Sequence, residues 1–251
     1  RPDVFYELAM IQLEQGRKED AAATLRRGLA EAPDAAPSLF VQIGQAAELM
    51  EDAKLAEEAY VAGLSASDDW ALEFMLGNLL SRRREFAQAA ERYTRAIESN
   101  QGASDREIAA MRVNRAAALL ASGQVEAALE DARQAMRFNP FEPRAYTTRA
   151  DAYLRRAGGN AGETARAEAR DKAIETLRQG AAKAPSSDLL LYLSNLLRQK
   201  GEMAEATQWA EKATQMDKNN ISAWLYLGML YIQNNDYDRA LLDLFDFANS
   251  E

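Results

Sequence analysis

The chain has 251 residues, a formal net charge of −9 and neither cysteine nor histidine. A disulfide framework and a thiolate or imidazole metal site are therefore excluded, and the acidic balance argues against nucleic acid as a partner. No apolar run is long enough to span a membrane, so membrane association would have to come from parts of a parent protein outside this chain. The absence of cysteine slightly favours a periplasmic over a cytoplasmic location.

Copies of one helical hairpin follow one another along almost the whole chain. Each copy has a small residue in the middle of its first helix, which we number position 8 of the repeat: Ala9, Gly44, Gly77, Ala116, Ala150, Ser194 and Gly228. Twelve positions later, at position 20, six copies carry an alanine: Ala21, Ala56, Ala89, Ala128, Ala206 and Ala240. In the fifth copy, Ala173 is displaced by an insertion. A period near 34 residues predicts a helix–turn–helix solenoid.

The predicted repeats span residues 2–36, 37–69, 70–103, 104–142, 143–186, 187–220 and 221–251, with about fourteen helices in a single array. Ser104, with Glu107 three residues later, matches a capping box and predicts an extended first helix in the fourth copy. The insertion at about 158–170 predicts a turn followed by a longer second helix. Near the end, Phe245 and Phe247 have no polar capping helix after them, so we interpret the chain as a fragment of a larger protein.

The spacing Trp224-x2-Leu227-Gly228-x2-Tyr231, followed by Ala240, resembles the tetratricopeptide repeat, and the other copies match it less fully. The resemblance covers nearly the whole chain. It implies an all-α, right-handed α-solenoid of about seven repeats, with the first helices lining a concave groove. It also implies a non-catalytic protein-interaction scaffold without cofactor or metal. An enzyme without histidine or cysteine would need paired carboxylates, and no such pair stands out.

In such an array, positions 2, 5, 6, 9, 12 and 13 of each first helix should face the groove. The groove is then acidic at its start, mixed to basic in its middle, and apolar at its end, where Tyr226, Met229 and Ile232 lie. The candidate partner-binding residues are Glu7, Glu14, Gln45, Glu48, Asn78, Arg82, Asn114, Arg144, Asp151, Asn195 and Arg198. An alternative interpretation is that these are ordinary solvated side chains.

The acidic start of the groove would suit a basic protein or a cationic, de-acetylated polysaccharide. Together with the fragment-like ends and the composition, this favours a scaffold within a bacterial exopolysaccharide export or outer-membrane assembly protein. A homo-oligomer is a further possibility for the exposed apolar end.

A second resemblance concerns the central repeats. The stretches Val113–Leu119 and Ala128–Ala132 resemble chaperone-binding, carboxylate-clamp tetratricopeptide domains, in which five residues grip the C-terminal carboxylate of a peptide. Matching residues stand at Asn78, Asn114 and Arg144, whereas Phe74 and Thr148 replace two basic residues. This resemblance implies an alternative function as a receptor for the C-terminal peptide of a chaperone or other partner, with a weakened grip.

Overall fold

The computed structural model describes residues 3–158 and 161–248, with side chains described as far as residue 242. The described residues form fourteen α-helices and no strand. The helices are α1 (Asp3–Glu14), α2 (Lys18–Glu31), α3 (Pro37–Leu49), α4 (Ala53–Ala66), α5 (Trp70–Arg82), α6 (Phe86–Glu98), α7 (Asp105–Ala121), α8 (Val125–Phe138), α9 (Pro143–Arg156), α10 (Glu163–Lys183), α11 (Ser187–Lys200), α12 (Met203–Met216), α13 (Ile221–Gln233) and α14 (Tyr237–Ala248). The predicted all-α solenoid of helical hairpins is thereby confirmed.

The chain divides into two compact units. Unit 1 comprises residues Arg1–Gln124 and unit 2 comprises Val125–Glu251. In unit 1, α1 packs on α2, α3 on α4, α5 on α6, and α7 on α6. In unit 2, α8 and α10 pack on α9, α11 packs on α12, and α13 on α14. No helix in the described ranges is long and apolar enough to cross a membrane.

Small residues at positions 8 and 20 bring the two helices of each hairpin close together. All of the residues that the sequence assigns to these two positions are buried, including Ala173, which follows the insertion. In the second and third copies, where position 8 is glycine, a tyrosine at position 24 fills the space. A Cβ added to Gly44 would lie 2.1 Å from Cε1 of Tyr60, and one added to Gly77 would lie 2.7 Å from Cε1 of Tyr93. The glycine is therefore required by the ring that packs on it.

Alanine at position 8 is combined with a smaller partner. Ala9 and Ala150 are each buried in the same hairpin as a leucine at position 24, Leu25 and Leu177 respectively. In these four hairpins the two positions vary together: glycine occurs with tyrosine, and alanine with leucine. The summed volume of the two side chains is similar in the four, although the individual residues change. The fourth copy does not follow this pairing, because it has alanine at both positions, Ala116 and Ala132.

A further small position was not predicted from the sequence. Position 27, in the second helix, holds Gly28, Gly63, Ala96, Ala135, Gly180 and Ala213, and all of them are buried. A Cβ on Gly63 would lie 2.7 Å from Cδ1 of Leu72, and one on Gly180 would lie 2.7 Å from Cδ1 of Leu189. Because Leu72 and Leu189 belong to the following hairpin, position 27 sets the distance between successive hairpins.

The turn inside six of the hairpins uses the left-handed backbone region at position 15, whereas Ala157 at this position of the fifth copy has φ of −91°. Gly16, Gly123 and Gly201 adopt it with φ of 75°, 84° and 91°, and Glu51, Arg84 and Asn235 adopt it with φ of 64°, 65° and 58°. Glycine takes this conformation without steric cost, whereas the other side chains are strained there.

The two irregular copies have the helix lengths predicted for them. Helix α7 has 17 residues and begins with a capping box, in which Ser104 N–H donates to Glu107 Oε2 at 2.7 Å and Glu107 N–H donates to Ser104 Oγ at 3.3 Å. Helix α10 has 21 residues, against 14 in α12. Part of the predicted turn before α10, and the side chains of Phe245 and Phe247, lie outside the described residues.

Candidate partner-binding surface

The first helices lie on the inner side of each unit. In unit 1, α1 contacts α3, α3 contacts α5, and α5 contacts α7; in unit 2, α9 contacts α11, and α11 contacts α13. Within the two units, α2 and α4 are the only described second helices that contact each other. Because the first helices approach one another and the second helices are splayed, each unit curves around the face that its first helices present.

Polar side chains connect the first helices of unit 1 across this inner face. The Nδ2 of Asn114 on α7 donates to Oδ1 of Asn78 on α5 at 2.9 Å. One hairpin earlier, the Nε2 of Gln45 lies 3.9 Å from Sδ of Met75. In both cases position 9 of one first helix reaches position 6 of the next. These contacts hold the side chains of the inner face in a defined arrangement.

The tyrosines that pack on position 8 also extend to the inner face. Tyr60 donates to Oε1 of Glu48 at 2.9 Å, and the other oxygen of Glu48 lies 2.6 Å from Nη2 of Arg82. Burial, together with the nearby charge of Glu48, raises the pKa of Tyr60, which keeps the hydroxyl protonated as a donor. Tyr93 likewise donates to Oδ1 of Asn78 at 2.8 Å. In the hairpins of Tyr60 and Tyr93, the core therefore fixes the polar groups above it.

Unit 2 has an equivalent pair. Tyr192 at position 6 of α11 donates to Oδ1 of Asp151 at position 9 of α9. Burial raises the pKa of Asp151, and the hydrogen bond from Tyr192 and the charge of Arg155 oppose this shift. One hairpin later, Nη2 of Arg198 donates to Oδ1 of Asn195 at 3.2 Å, and Nε of Arg198 donates to Oη of Tyr226 at 3.3 Å. Positions 9 and 6 thus connect α9 with α11, and positions 12 and 6 connect α11 with α13.

The acidic region that the sequence predicts at the start of the groove contains fewer open carboxylates in the structure. Glu7 and Glu14 on α1 are exposed, and none of the described side chains forms an ion pair with either of them. Glu48, by contrast, is held by Arg82, which lies among the residues predicted for the basic middle. The charges of these two residues compensate each other, which leaves the α1 carboxylates as the open anionic groups of this surface.

Two of the clamp residues contact each other, since Asn78 and Asn114 touch in unit 1. Within unit 2, Arg144 is exposed at the start of α9. The two positions that lack a cation are used for packing: the ring of Phe74 lies 5.8 Å from that of Tyr93, and Thr148 is buried.

One buried carboxylate on α5 was not predicted from the sequence. Glu73 on α5 is 4% exposed, and its oxygens lie 3.2 Å from Nη1 of Arg92 and 3.8 Å from Nη1 of Arg95. It borders an open cavity of about 600 Å³ between α5 and the end of α6. Position 4, where Glu73 stands, is aromatic in copies such as Phe40 and Tyr146. A charged residue at an aromatic position was the signal that could have identified it.

Comparison with known proteins agrees with this architecture. The family described as "Tetratricopeptide repeat" matches residues 1–36 and 74–143. The chain contains tetratricopeptide repeats in these two ranges. Residues 167–248 also match the family described as "ChAPs (Chs5p-Arf1p-binding proteins)". The TPR repeat-containing thioredoxin TTL4 of Arabidopsis thaliana is 40% identical over 79 residues, which is 32% of this chain and 11% of that protein. The chain thus matches about a tenth of the length of this curated relative.

Solved structures share the fold at low sequence identity. The chain resembles PilF of Pseudomonas aeruginosa with a TM-score of 0.62 and 16% identity, over 92% of this chain and 97% of that one. It resembles PilW, a type IV pilus biogenesis factor, with a TM-score of 0.65 and 14% identity, over 91% and 97%. The assembly chaperone of RpL4 (Acl4) gives 0.55 and 18%, over 95% and 98%. At these identities the likeness shows the fold alone. Among the described residues, no group of three or more acidic side chains is placed to hold a metal ion.

Proposed function

We propose that the chain is a non-catalytic scaffold that binds a protein partner along the inner faces of its first helices. The observation that carries the proposal is the series of contacts from position 9 of one first helix to position 6 of the next, seen in both units. These contacts orient polar groups on a curved face without a closed pocket. Such a surface suits an extended or helical segment of a partner, because many side chains can contact it at once.

In unit 1, we propose that the partner segment is cationic. The supporting observation is that Glu7 and Glu14 are exposed on α1 without an ion-pair partner among the described residues, whereas Glu48 is neutralised by Arg82. A basic protein or a cationic, de-acetylated polysaccharide has the complementary charge.

We further propose that the parent protein works in the bacterial envelope, in exopolysaccharide export or outer-membrane assembly, with this chain in the periplasm. The fold likeness to PilF and to the pilus biogenesis factor PilW supports this context. A signal peptide in the parent gene, and fractionation of the tagged full-length protein with periplasmic markers, would support this placement; recovery in the cytoplasm would oppose it.

The alternative is a receptor for a C-terminal peptide, and the contact between Asn78 and Asn114 favours it. Both amides belong to the clamp resemblance, and they lie side by side on the inner face of unit 1. Because Phe74 and Thr148 stand where the clamp family has cations, the free carboxylate of a peptide would be held mainly by amide donors.

The experiment that tests the cationic partner is calorimetric titration of the chain with a short oligolysine peptide and, separately, with a fully de-acetylated chitosan oligomer. Each exposed ion pair contributes about 0.2–1 kcal/mol, so replacing both Glu7 and Glu14 with glutamine should weaken binding by about two- to thirtyfold. The matched control replaces Glu91 and Glu175, which are exposed on second helices.

The control variant should bind as the unsubstituted chain does, and added salt should weaken the binding of both. Preference for oligolysine over chitosan would assign the partner as protein, and the reverse preference would assign it as polysaccharide. Equal weakening by the inner and outer substitutions, or no binding of either probe, would refute a cationic partner.

A further inference from the structure

Arg198 on the inner face of unit 2 is an arginine that neutral groups hold in place. Its side chain is half-buried on α11. The Nε donates to Oη of Tyr226 at 3.3 Å, and Nη2 donates to Oδ1 of Asn195 at 3.2 Å. Both acceptors are uncharged, so the guanidinium is oriented without being neutralised.

No carboxylate among the described side chains forms an ion pair with Arg198. In unit 1, the equivalent repeat positions hold an acid and an arginine, which form an ion pair. There, Glu48 at position 12 of α3 pairs with Arg82 at position 13 of α5 at 2.6 Å. In unit 2, position 12 of α11 is Arg198 and position 13 of α13 is Gln233, which carries no charge.

The geometry of the guanidinium leaves a carboxylate-binding edge open. Arginine has five N–H donors, and the two contacts of Arg198 use the one on Nε and one on Nη2. Both donors on Nη1 and the second donor on Nη2 remain for another acceptor. One donor from each terminal nitrogen is the arrangement that binds the two oxygens of a carboxylate side by side.

An exposed apolar surface adjoins this cation. Tyr226, which holds Arg198, lies on α13 next to Leu225, which is 60% exposed, and one turn before the half-buried Met229. Ile232 on the same helix is 51% exposed. Leu225 and Ile232 are seven residues apart, which places them two turns apart on one face of the helix. Exposed apolar groups beside an oriented charge are typical of an interaction surface.

We propose that Arg198 and α13 bind a partner segment in which a carboxylate lies close to a large aliphatic side chain. The carboxylate is bound by the open edge of the Arg198 guanidinium, and the aliphatic group packs on Leu225 and Ile232. This inference rests on the proposed function, since it assumes that the inner face binds a partner. The partner group that binds Arg198 is anionic, whereas the partner segment proposed for α1 is cationic.

The test is a nuclear magnetic resonance titration of the whole chain with N-acetyl-leucyl-glutamate whose C-terminus is amidated, and with the matched C-terminally amidated N-acetyl-leucyl-glutamine. The signals followed are the Nε–H of Arg198 and the methyl groups of Leu225 and Ile232. Short fragments of this kind bind in the millimolar range, so the titration extends to tens of millimolar. We expect all three signals to shift with the acidic probe, and the Arg198 signal to shift several times less with the amide probe.

Arg82 is the internal control, because its guanidinium already pairs with Glu48 and its Nε–H should not respond. In the Arg198→Gln variant, the methyl shifts caused by the acidic probe should fall to those caused by the amide probe, whereas Arg17→Gln, which changes an exposed arginine paired with Asp20, should leave them unchanged. Absence of an Arg198 shift, or equal shifts with both probes, would overturn the inference. It would leave the scaffold function intact, because that function is tested separately with cationic probes and by cross-linking on the inner face of unit 1.

Discussion

Asn114 donates from its Nδ2 to Oδ1 of Asn78 across 2.9 Å, and the same oxygen also accepts the hydroxyl of Tyr93 at 2.8 Å. The Asn78 carbonyl oxygen is thus occupied on both of its acceptor sites. The contact joins α5 to α7 through side chains that the core already fixes. It is the best-defined part of the inner face in unit 1, and it bears directly on the carboxylate-clamp alternative.

A peptide that binds near Asn78 should depend little on its C-terminal carboxylate. Because Phe74 and Thr148 occupy the places of two cations, we expect amidation of a short acidic peptide to weaken binding less than about tenfold. Fluorescence anisotropy with the free and the amidated peptide measures this ratio. A larger loss that disappears in the Asn78→Ala variant would favour the clamp.

Gly44→Ala should destabilise the protein because the new methyl group overlaps the ring of Tyr60. The added Cβ would lie 2.1 Å from Cε1 of that ring, and overpacking of this kind costs about 1–3 kcal/mol. Thermal unfolding followed by circular dichroism measures the effect. Gly162→Ala is the control, since this glycine precedes α10 with φ of −64° and no described atom lies within 4 Å of the added Cβ; it should change stability by less than about 1 kcal/mol.

The same site offers a compensating change. The double variant Gly44→Ala with Tyr60→Leu recreates the combination found at Ala9 and Leu25. We expect its destabilisation to be smaller than the sum of the two single variants by about 1 kcal/mol or more. Strict additivity would show that positions 8 and 24 do not determine each other.

Arg92→Gln should destabilise unit 1, because it removes the nearer cation from the buried carboxylate of Glu73. The loss should be about 1–3 kcal/mol, less than for a fully isolated charge because Arg95 remains 3.8 Å away. Urea unfolding measures it. Arg17→Gln, which breaks an exposed pair with Asp20, should change stability by less than about 1 kcal/mol. Equal losses in the two variants would contradict the structural role of Glu73.

Asp151→Asn should remove a contribution to the stability of unit 2 that declines as the pH rises. Because burial raises the pKa of Asp151 in the folded protein, the folded state binds the proton more tightly than the unfolded state. The contribution of Asp151 is therefore most favourable below its unfolded pKa of about 3.9 and declines as the pH rises through the higher folded pKa. The asparagine variant, compared with the original chain by urea unfolding at several pH values, should gain relative stability across that window and then level off. A relative stability that is constant with pH would contradict the raised pKa.

The hairpins could be predicted from the sequence because their determinants are local. Positions 8 and 20 recur at fixed spacing, so the burial of residues such as Gly77 and Ala89 followed from the pattern alone. The capping box at Ser104 was equally local, since its two residues are three apart. Patterns of this kind specify a hairpin without reference to its neighbours.

The inner face was harder to predict because its contacts join residues from different hairpins. The pairing of Asp151 with Tyr192 spans 41 residues, and that of Glu48 with Arg82 depends on how two successive hairpins stack. From its repeat position, Glu48 was predicted to belong to an open acidic region, whereas in the structure Arg82 of the next repeat compensates its charge. In the sequence, Arg198 is one basic residue among several. That its hydrogen-bond partners are neutral depends on the packing of α11 on α13, which the sequence does not specify.

Site-specific photo-crosslinking in the organism of origin tests the central claim that the inner face binds a partner. A photoreactive amino acid would replace Gln42 or Gln45, which are exposed on the inner face of α3, and Glu91 or Gln208, which are exposed on second helices. The scaffold account predicts discrete cross-linked adducts from the two inner positions and none from the two outer positions. Adducts of equal yield from both faces, or none from the inner face, would contradict it.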